Sequence, residues 1–254
     1  HRSKGKNYVK AVFGKKCFYG CKKLVGFRLI SIANVMLSTG TFENSGVVNM
    51  NFKDYPLVEN IGFDADAKGM VLPSRCFADC QYLTDLNFAQ AIKESQIASD
   101  AFAGGYQWKK VGFYYEYSSG SWASRLHCTF WNNPETGEST TRKGKYVEIT
   151  GADADTEGLS LEIPEEIPFC KAAGMSSDVI VLYYNCFADV KFGSIVLPKV
   201  LDEKGDVKDN CFNLDGLNKI AFYSNGFRYE GTKKKDTEFA FTLTNHPKKT
   251  EGYD

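Results

Sequence analysis

The sequence predicts a β-rich α/β solenoid, and three observations predict it. A phenylalanine recurs as Phe18, Phe42, Phe77, Phe102, Phe187 and Phe212, at intervals of 24, 35, 25, 85 and 25 residues. The same apolar and small-residue columns flank each of these anchors. A short run of alternating apolar and polar residues then follows, the pattern of a half-buried strand. Helical periodicity sustained over several turns is scarce.

The columns make chance improbable, even in a chain with 19 phenylalanines. Five residues before the anchors stand Phe13, Leu37, Leu72, Ile97, Leu182 and Val207. Immediately before them stand Cys17, Thr41, Cys76, Ala101, Cys186 and Cys211, all small. Five or six residues after them come Leu24, Val48, Leu83, Trp108, Phe192 and Leu217. The alternating runs follow, as in Leu83-x-x-Leu86-x-Phe88 and Leu217-x-x-Ile220-x-Phe222. One coil of this length cannot bury its apolar columns alone. Coils stacked at the strand spacing of about 4.8 Å turn equivalent residues into continuous interior ladders. A phenylalanine ladder suits that spacing, because offset ring stacking adds to area burial.

These residues resemble the BspA-like leucine-rich repeats of bacterial and some protist surfaces, whose pattern is I-x-x-x-A-F-x-x-C-x-x-L-x-x-I-x-L-P. Ile97-Ala98-Ser99-Asp100-Ala101-Phe102 matches its first half, and Phe77-Ala78-Asp79-Cys80-Gln81-Tyr82-Leu83-Thr84-Asp85-Leu86 its second. The closing Leu-Pro stands at Leu72-Pro73 and Leu197-Pro198, with Ile163-Pro164 as a degenerate case. The resemblance covers residues 9–113 and 179–223. It implies a right-handed leucine-rich-repeat-like solenoid with a parallel sheet on one face. It also implies a binding or adhesion role at a cell surface or outside the cell, and it supplies no catalytic residue.

Along the chain, residues 9–113 read as N-terminal repeats with an insertion near 58–68. Residues 114–178 read as an irregular central insertion with degenerate repeats, rich in turn formers such as SSGS, NNPETGEST and GADADTEG. Cys128–Trp131 and Tyr146–Ile149 are candidate strands there, and Leu159-x-Leu161-x-Ile163 resumes the strand pattern. Residues 179–223 hold two clear coils. Residues 224–254 are expected to cap the array, with Phe239-x-Phe241-x-Leu243 as an end strand. One continuous solenoid over 1–254 is favoured over two separate domains.

Composition narrows the function. The 254 residues carry 31 basic and 31 acidic side chains, which argues against a nucleic-acid binder acting through a basic field. No apolar run is long enough for a transmembrane helix. The opening HRSKGKNYVK lacks the apolar core of a signal peptide. No Asn-x-Ser/Thr acceptor occurs.

Candidate chemistry is sparse. Cys17/Cys21 and Cys76/Cys80 have a spacing that zinc sites use. Their slots hold Thr41/Ser45 and Ala101/Gly105 in other coils, so the position selects a small buried side chain rather than a ligand. Cys186 and Cys211 stack one coil apart, within disulfide reach, and are expected as a free thiol pair. His1, His127 and His246 lie far apart. His127 and Cys128 are strand neighbours on opposite faces and do not pair as base and nucleophile. Asp153–Gly158 and Asp64-Ala65-Asp66 read as solvated turns, lacking the frame of a calcium loop. No catalytic motif, cofactor motif or metal site is recognised.

The most functional-looking surface is the outward face of the strand ladder. By register it carries Gly26, Arg28, Asn49, Asn51, Asp85, Asn87, Lys110, Gly112, Ser194, Val196, Lys219 and Ala221. Of these, Arg28, Asn49, Asn51, Asp85, Asn87, Lys110 and Lys219 are the candidate ligand-binding residues. Tyr114, Tyr115, Tyr117, Trp122 and Trp131 of the insertion form a rival aromatic patch. The sequence favours a non-enzymatic binding protein with a protein or glycan partner. The alternatives are an enzyme with its site in 114–178, or a spacer within a longer surface protein.

Overall fold

The computed structural model describes residues 9–29, 32–53, 55–104, 109–116, 125–133, 144–153, 159–175, 179–203, 205–236 and 238–245. The chain divides into two compact units. Residues 1–114, 130–144 and 168–176 form the first, and residues 115–129, 145–167 and 177–254 the second.

The first unit is built from coils that stack on the phenylalanine anchors. Phe18 lies 5.1 Å from Phe42, Phe42 lies 5.3 Å from Phe77, and Phe77 lies 5.6 Å from Phe102, with successive ring planes within 9°. The backbone follows the same ladder. The N–H of Phe18 donates to the Thr41 carbonyl (2.9 Å), that of Phe42 to Cys76 (2.8 Å) and that of Phe77 to Ala101 (2.9 Å). Two residues later, Gly20 donates to Glu43, Asn44 to Ala78 and Asp79 to Ala103. The 35-residue interval therefore does not break the stack, since Phe42 meets Phe77 directly.

Left-handed residues make the turn that carries each anchor. Lys16, Gly40 and Arg75 stand two residues before it, at φ of 53°, 63° and 54°. Gly20, Asn44, Asp79 and Gly104 stand two residues after it, at 67°, 57°, 55° and 91°. The thiol of Cys80 donates to the Phe42 carbonyl at 3.0 Å, so this small slot also ties one coil to the next.

Strands form on both sides of the turn. Before it, β1 (Val9–Val12), β2 (Ile32–Met36) and β4 (Leu57–Val58) pair in parallel, in the order β1-β2-β4. After it, β3 (Asn49–Phe52), β5 (Asp85–Ala91) and β6 (Lys110–Glu116) pair in parallel. The anticipated single sheet is thus accompanied by a second one. The segments entering the turns, VKAV and IANVM, are rich enough in β-branched residues to pair as strands themselves. Helix α1 (Pro168–Ala172) buries Phe169 against Phe113 (4.5 Å) and edge-on to Phe88 (5.7 Å).

The insertion near 58–68 is pinned from beneath. Asn60 is fully buried; its amide donates to the Leu37 carbonyl (2.9 Å) and accepts from the N–H groups of Gly62 and Asp64. Asp64 accepts from the N–H of Thr39 (2.8 Å) and meets Lys15 Nζ at 3.1 Å. The expected solvated turn at Asp64 is therefore corrected: only 3% of the residue is exposed, because its carboxylate holds the insertion to the coil beneath.

The second unit repeats the two-sheet coil. β8 (Gly144–Asp153), β10 (Ile180–Leu182) and β12 (Asp206–Val207) pair in parallel, as do β9 (Ser160–Glu162), β11 (Ser194–Val196) and β13 (Lys219–Ser224). Residues 125–129 of β7 (Arg125–Asn133) also belong to this unit. Much of the described part of 114–178 is strand rather than irregular, and β8 and β9 occupy the strand slots of a coil. Phe187 and Phe212 stack at 5.9 Å, tilted by 37°. Asn185 and Asn210 repeat the left-handed position two residues before the anchor, at φ of 56° and 57°.

β13 continues through an Asn225-Gly226 turn into the antiparallel β14 (Phe227–Lys235) and then β15 (Glu238–Asn245). Asn225 and Gly226 have φ of 51° and 78°, the pattern of a two-residue hairpin turn. The carboxylate of Asp202, in α2 (Val200–Glu203), accepts from both of their N–H groups. No sheet among the described residues closes into a barrel.

Three burial expectations are corrected. Val207 is 44% exposed, because β12 is a two-residue edge strand. Ala221 is buried rather than outward-facing, on a strand that β14 pairs along its free edge. Cys17 and Cys21 are exposed, whereas Cys76 and Cys80 lie inside. The first pair belongs to the first described coil, which has a described neighbour on one side only. Trp108 lies outside the described residues.

Candidate functional site on the strand face

The β3-β5-β6 face of the first unit collects five of the seven candidate binding residues. The register places Asn49 beside Asp85 and Asp85 beside Lys110, in one row. Two residues on, Asn51, Asn87 and Gly112 form a second row. Arg28 is exposed outside the strands. The Val48 N–H donates to the Val25 carbonyl, which aligns the segment carrying Arg28 with β3. Lys219 lies elsewhere, on β13 of the second unit, paired with Ser194 and beyond it Ser160.

The first row is internally hydrogen-bonded. With its amide nitrogen turned toward Asp85, Asn49 donates to Asp85 Oδ2 (2.9 Å) and to the Val48 carbonyl (3.1 Å). The Thr84 hydroxyl donates to the same Asp85 oxygen at 2.6 Å. Lys110 Nζ sits 4.9 Å from the Trp131 ring centroid, a cation–π contact that fixes the ammonium at the end of the row. In the second row, Asn51 Oδ1 accepts from the Lys53 N–H and is occupied in its own turn. Gly112 brings its backbone close beneath Asn87, where a Cβ would stand 3.0 Å from Asn87 Oδ1. The surface is polar, of mixed charge and partly preorganised, with one aromatic residue at its edge.

The rival aromatic patch is only partly described. Tyr114, Tyr115 and Trp131 are half-buried, and Tyr117 and Trp122 lie outside the described residues. Burial pushes the Tyr115 phenol up. His1 and His246 likewise lie outside, as do residues 154–158 of the acidic run.

One cluster was missed from sequence. Arg125 and His127, alternate residues on β7, both reach Asp153 on β8. Arg125 Nη2 meets Oδ2 at 2.8 Å, and His127 Nε2 meets Oδ1 at 2.9 Å. The period-two spacing of Arg125 and His127 was visible, but nothing in the sequence indicated which carboxylate would lie opposite. Cys128 faces inward, and burial pushes its thiol well up, away from nucleophile duty. Cys186 and Cys211 are free thiols. A hydrogen bond with Cys211, together with burial, raises Cys186, and the same bond lowers Cys211. No group of three or more metal-ligating side chains converges among the described residues.

Residues 9–119 match the model of the BspA type leucine-rich repeat region in six copies. This segment is a BspA-type leucine-rich repeat region. Its stacked phenylalanine turns and parallel strands give that repeat its physical content. No curated protein and no solved structure matches the chain. No described helix is long and apolar enough to cross a membrane.

Proposed function

We propose that the protein is a non-enzymatic binding or adhesion protein, displayed at a cell surface or secreted, whose strand face engages a protein or glycan partner. The observation that carries this reading is the aligned row Asn49-Asp85-Lys110 beside Trp131, built by the BspA-type repeats. Parallel strands repeat polar side chains at a fixed spacing, and repeat arrays commonly present such faces to ligands. The reading takes the coils to wind right-handed, as the repeat resemblance implies, and takes the turn-rich span 114–178 as an insertion. Arg28, Asn51, Asn87 and Lys219 contribute to the same kind of surface in this reading.

The test is capture on immobilised matrix proteins and on a glycan array, comparing the wild type with N49A/D85A/K110A. Loss of about tenfold in apparent affinity, which corresponds to the removal of two or three modest polar contacts, supports the reading. Undiminished capture overturns the strand face as the ligand surface.

A second reading has its own observation. The His127–Asp153 pair, with Arg125 on the same carboxylate, lies in the span 114–178, where an enzymatic site would sit. A carboxylate oriented on an imidazole is the basis of a general base. Turnover of a hydrolase substrate panel that disappears in H127A would establish this reading over the binding one.

A further inference from the structure

The turn between β13 and β14 holds the only Asn-Gly pair in the sequence, Asn225-Gly226. That pair is chemically labile. Glycine carries no Cβ to hinder its backbone nitrogen, which can therefore close on the Cγ of the preceding asparagine. Both residues are exposed, and a Cβ on Gly226 would meet nothing within 4 Å. Among the described residues no group holds the Asn225 side-chain amide, so its Cγ is open to attack.

One contact opposes the reaction. Asp202 Oδ1 accepts from the Asn225 N–H (2.9 Å), and Oδ2 from the Gly226 N–H (2.7 Å). Ring closure begins when the Gly226 nitrogen loses its proton. A carboxylate seated on that proton works against the loss twice. The hydrogen bond to be given up is charge-assisted, and the anion left behind would face a second negative charge. Asp202 is itself held in place. The N–H groups of Lys199 and Val200, at the start of α2, donate to the Glu165 carboxylate at 2.8 and 3.0 Å. The N–H of Gly205 closes the other end on the Val200 carbonyl at 2.9 Å.

We propose that Asn225-Gly226 is a deamidation site that the Asp202 carboxylate holds in check. In the reaction a bond forms between the Gly226 nitrogen and Asn225 Cγ, the Cγ–Nδ2 bond breaks, and the Gly226 proton passes through solvent to the departing ammonia. Water, the only co-reactant, then opens the succinimide at either carbonyl and leaves aspartate or isoaspartate at position 225. Either product disfavours the turn. Aspartate sets a second carboxylate beside that of Asp202. Isoaspartate adds a main-chain carbon to a two-residue turn whose flanks, Ser224 and Phe227, are paired. The hairpin along the edge of β13, the strand that carries Lys219, is therefore expected to loosen after deamidation. The proposal is independent of the strand-face binding surface.

The test follows Asn225 by peptide mass spectrometry in the full chain, incubated at mildly alkaline pH. The folded wild type is expected to deamidate far more slowly than the same chain in denaturant. D202A is expected to raise the folded rate about tenfold, the factor that a hydrogen bond to a charged group carries. Amide hydrogen exchange reads the same proton without any variant. The Gly226 N–H of the wild type, although exposed, should exchange about tenfold more slowly than that of an unstructured glycine. Four outcomes would each overturn the proposal: equal wild-type rates in buffer and denaturant, an unchanged rate in D202A, unprotected Gly226 exchange, or acceleration in D202A that comes with lost exchange protection along the whole β13-β14 ladder.

Discussion

Phe77 lies between two parallel rings, with Phe42 centred 5.3 Å away on one side and Phe102 5.6 Å away on the other. Phe52 adds an edge contact at 6.4 Å. Removing the Phe77 ring would open a cavity in the middle of the stack that neither neighbour can fill without moving its own coil. Phe77→Ala is therefore expected to cost about 3–5 kcal/mol. Phe18, half-exposed on the first described coil, has less to lose, and Phe18→Ala is expected to cost roughly half as much. Urea denaturation of both variants checks the order, and equal losses would mean that the stack does not carry the core.

The anchors were legible because a ladder forces the same residue type into the same slot, coil after coil. The turn chemistry beside them was not. Lys16, Arg75 and Asp79 take left-handed backbone without the glycine or asparagine that announces it. Here the fixed hydrogen bonds between coils override local preference. Asn225-Gly226, between the apolar runs of β13 and β14, is by contrast the sequence of a two-residue hairpin turn. The rows Asn49-Asp85-Lys110 and Asn51-Asn87 follow from strand alternation taken together with the register of the repeat. Lys219 could not be separated from them by sequence, since alternation describes a strand and says nothing of the unit to which it belongs. The cluster at Asp153 depends on which strands lie side by side, information that no local pattern carries.

Asp64 gives the insertion a pH dependence. Burial opposes its ionisation, but the Thr39 N–H, Lys15 and the Asp66 N–H together hold its carboxyl below the usual value. A depressed folded-state value means that the stabilisation is complete above the unfolded value of about 3.9. It is lost as the pH falls through the lower folded value. Asp64→Asn is expected to lose about 1.5–3 kcal/mol at pH 7, the range for hydrogen bonds to a charged group. The gap between wild type and variant should narrow below about pH 3.9. Thermal melts of both proteins across that range test it, and a gap that stays constant to pH 2 would remove the carboxylate from the account.

The cysteines should separate by coil rather than by motif. Cys17 and Cys21 are exposed, while Cys76, Cys80, Cys128, Cys170, Cys186 and Cys211 are buried. Burial also pushes the Cys76, Cys80 and Cys128 thiols up, so little thiolate is present to react even when a probe arrives. Brief iodoacetamide treatment at pH 8, read by peptide mass spectrometry, should modify Cys17 and Cys21 in the native protein. The other six should react only after denaturant is added. Rapid native labelling of Cys76 or Cys80 would contradict their place inside the stack.

Gly46 sets the spacing between the first two coils. Its N–H donates to the Cys21 carbonyl at 3.0 Å, and the adjoining Lys22 carbonyl lies directly over its α-carbon. A Cβ at this position would stand 2.0 Å from Lys22 O and 2.6 Å from Lys22 C. Both atoms are backbone, so no side-chain rotation can relieve the clash, and the first coil would have to lift off the second. Gly46→Ala is expected to cost about 1–3 kcal/mol, the range for forced overpacking. Gly14→Ala is the matched control, because a Cβ there meets nothing within 4 Å. That variant should stay within about 0.5 kcal/mol of the wild type. Because the damage in Gly46→Ala is confined to the first interface, hydrogen exchange should rise at Gly20, Gly46 and Val48 before it rises at Phe77. Uniform loss of protection along the first unit would instead show that its coils unfold together.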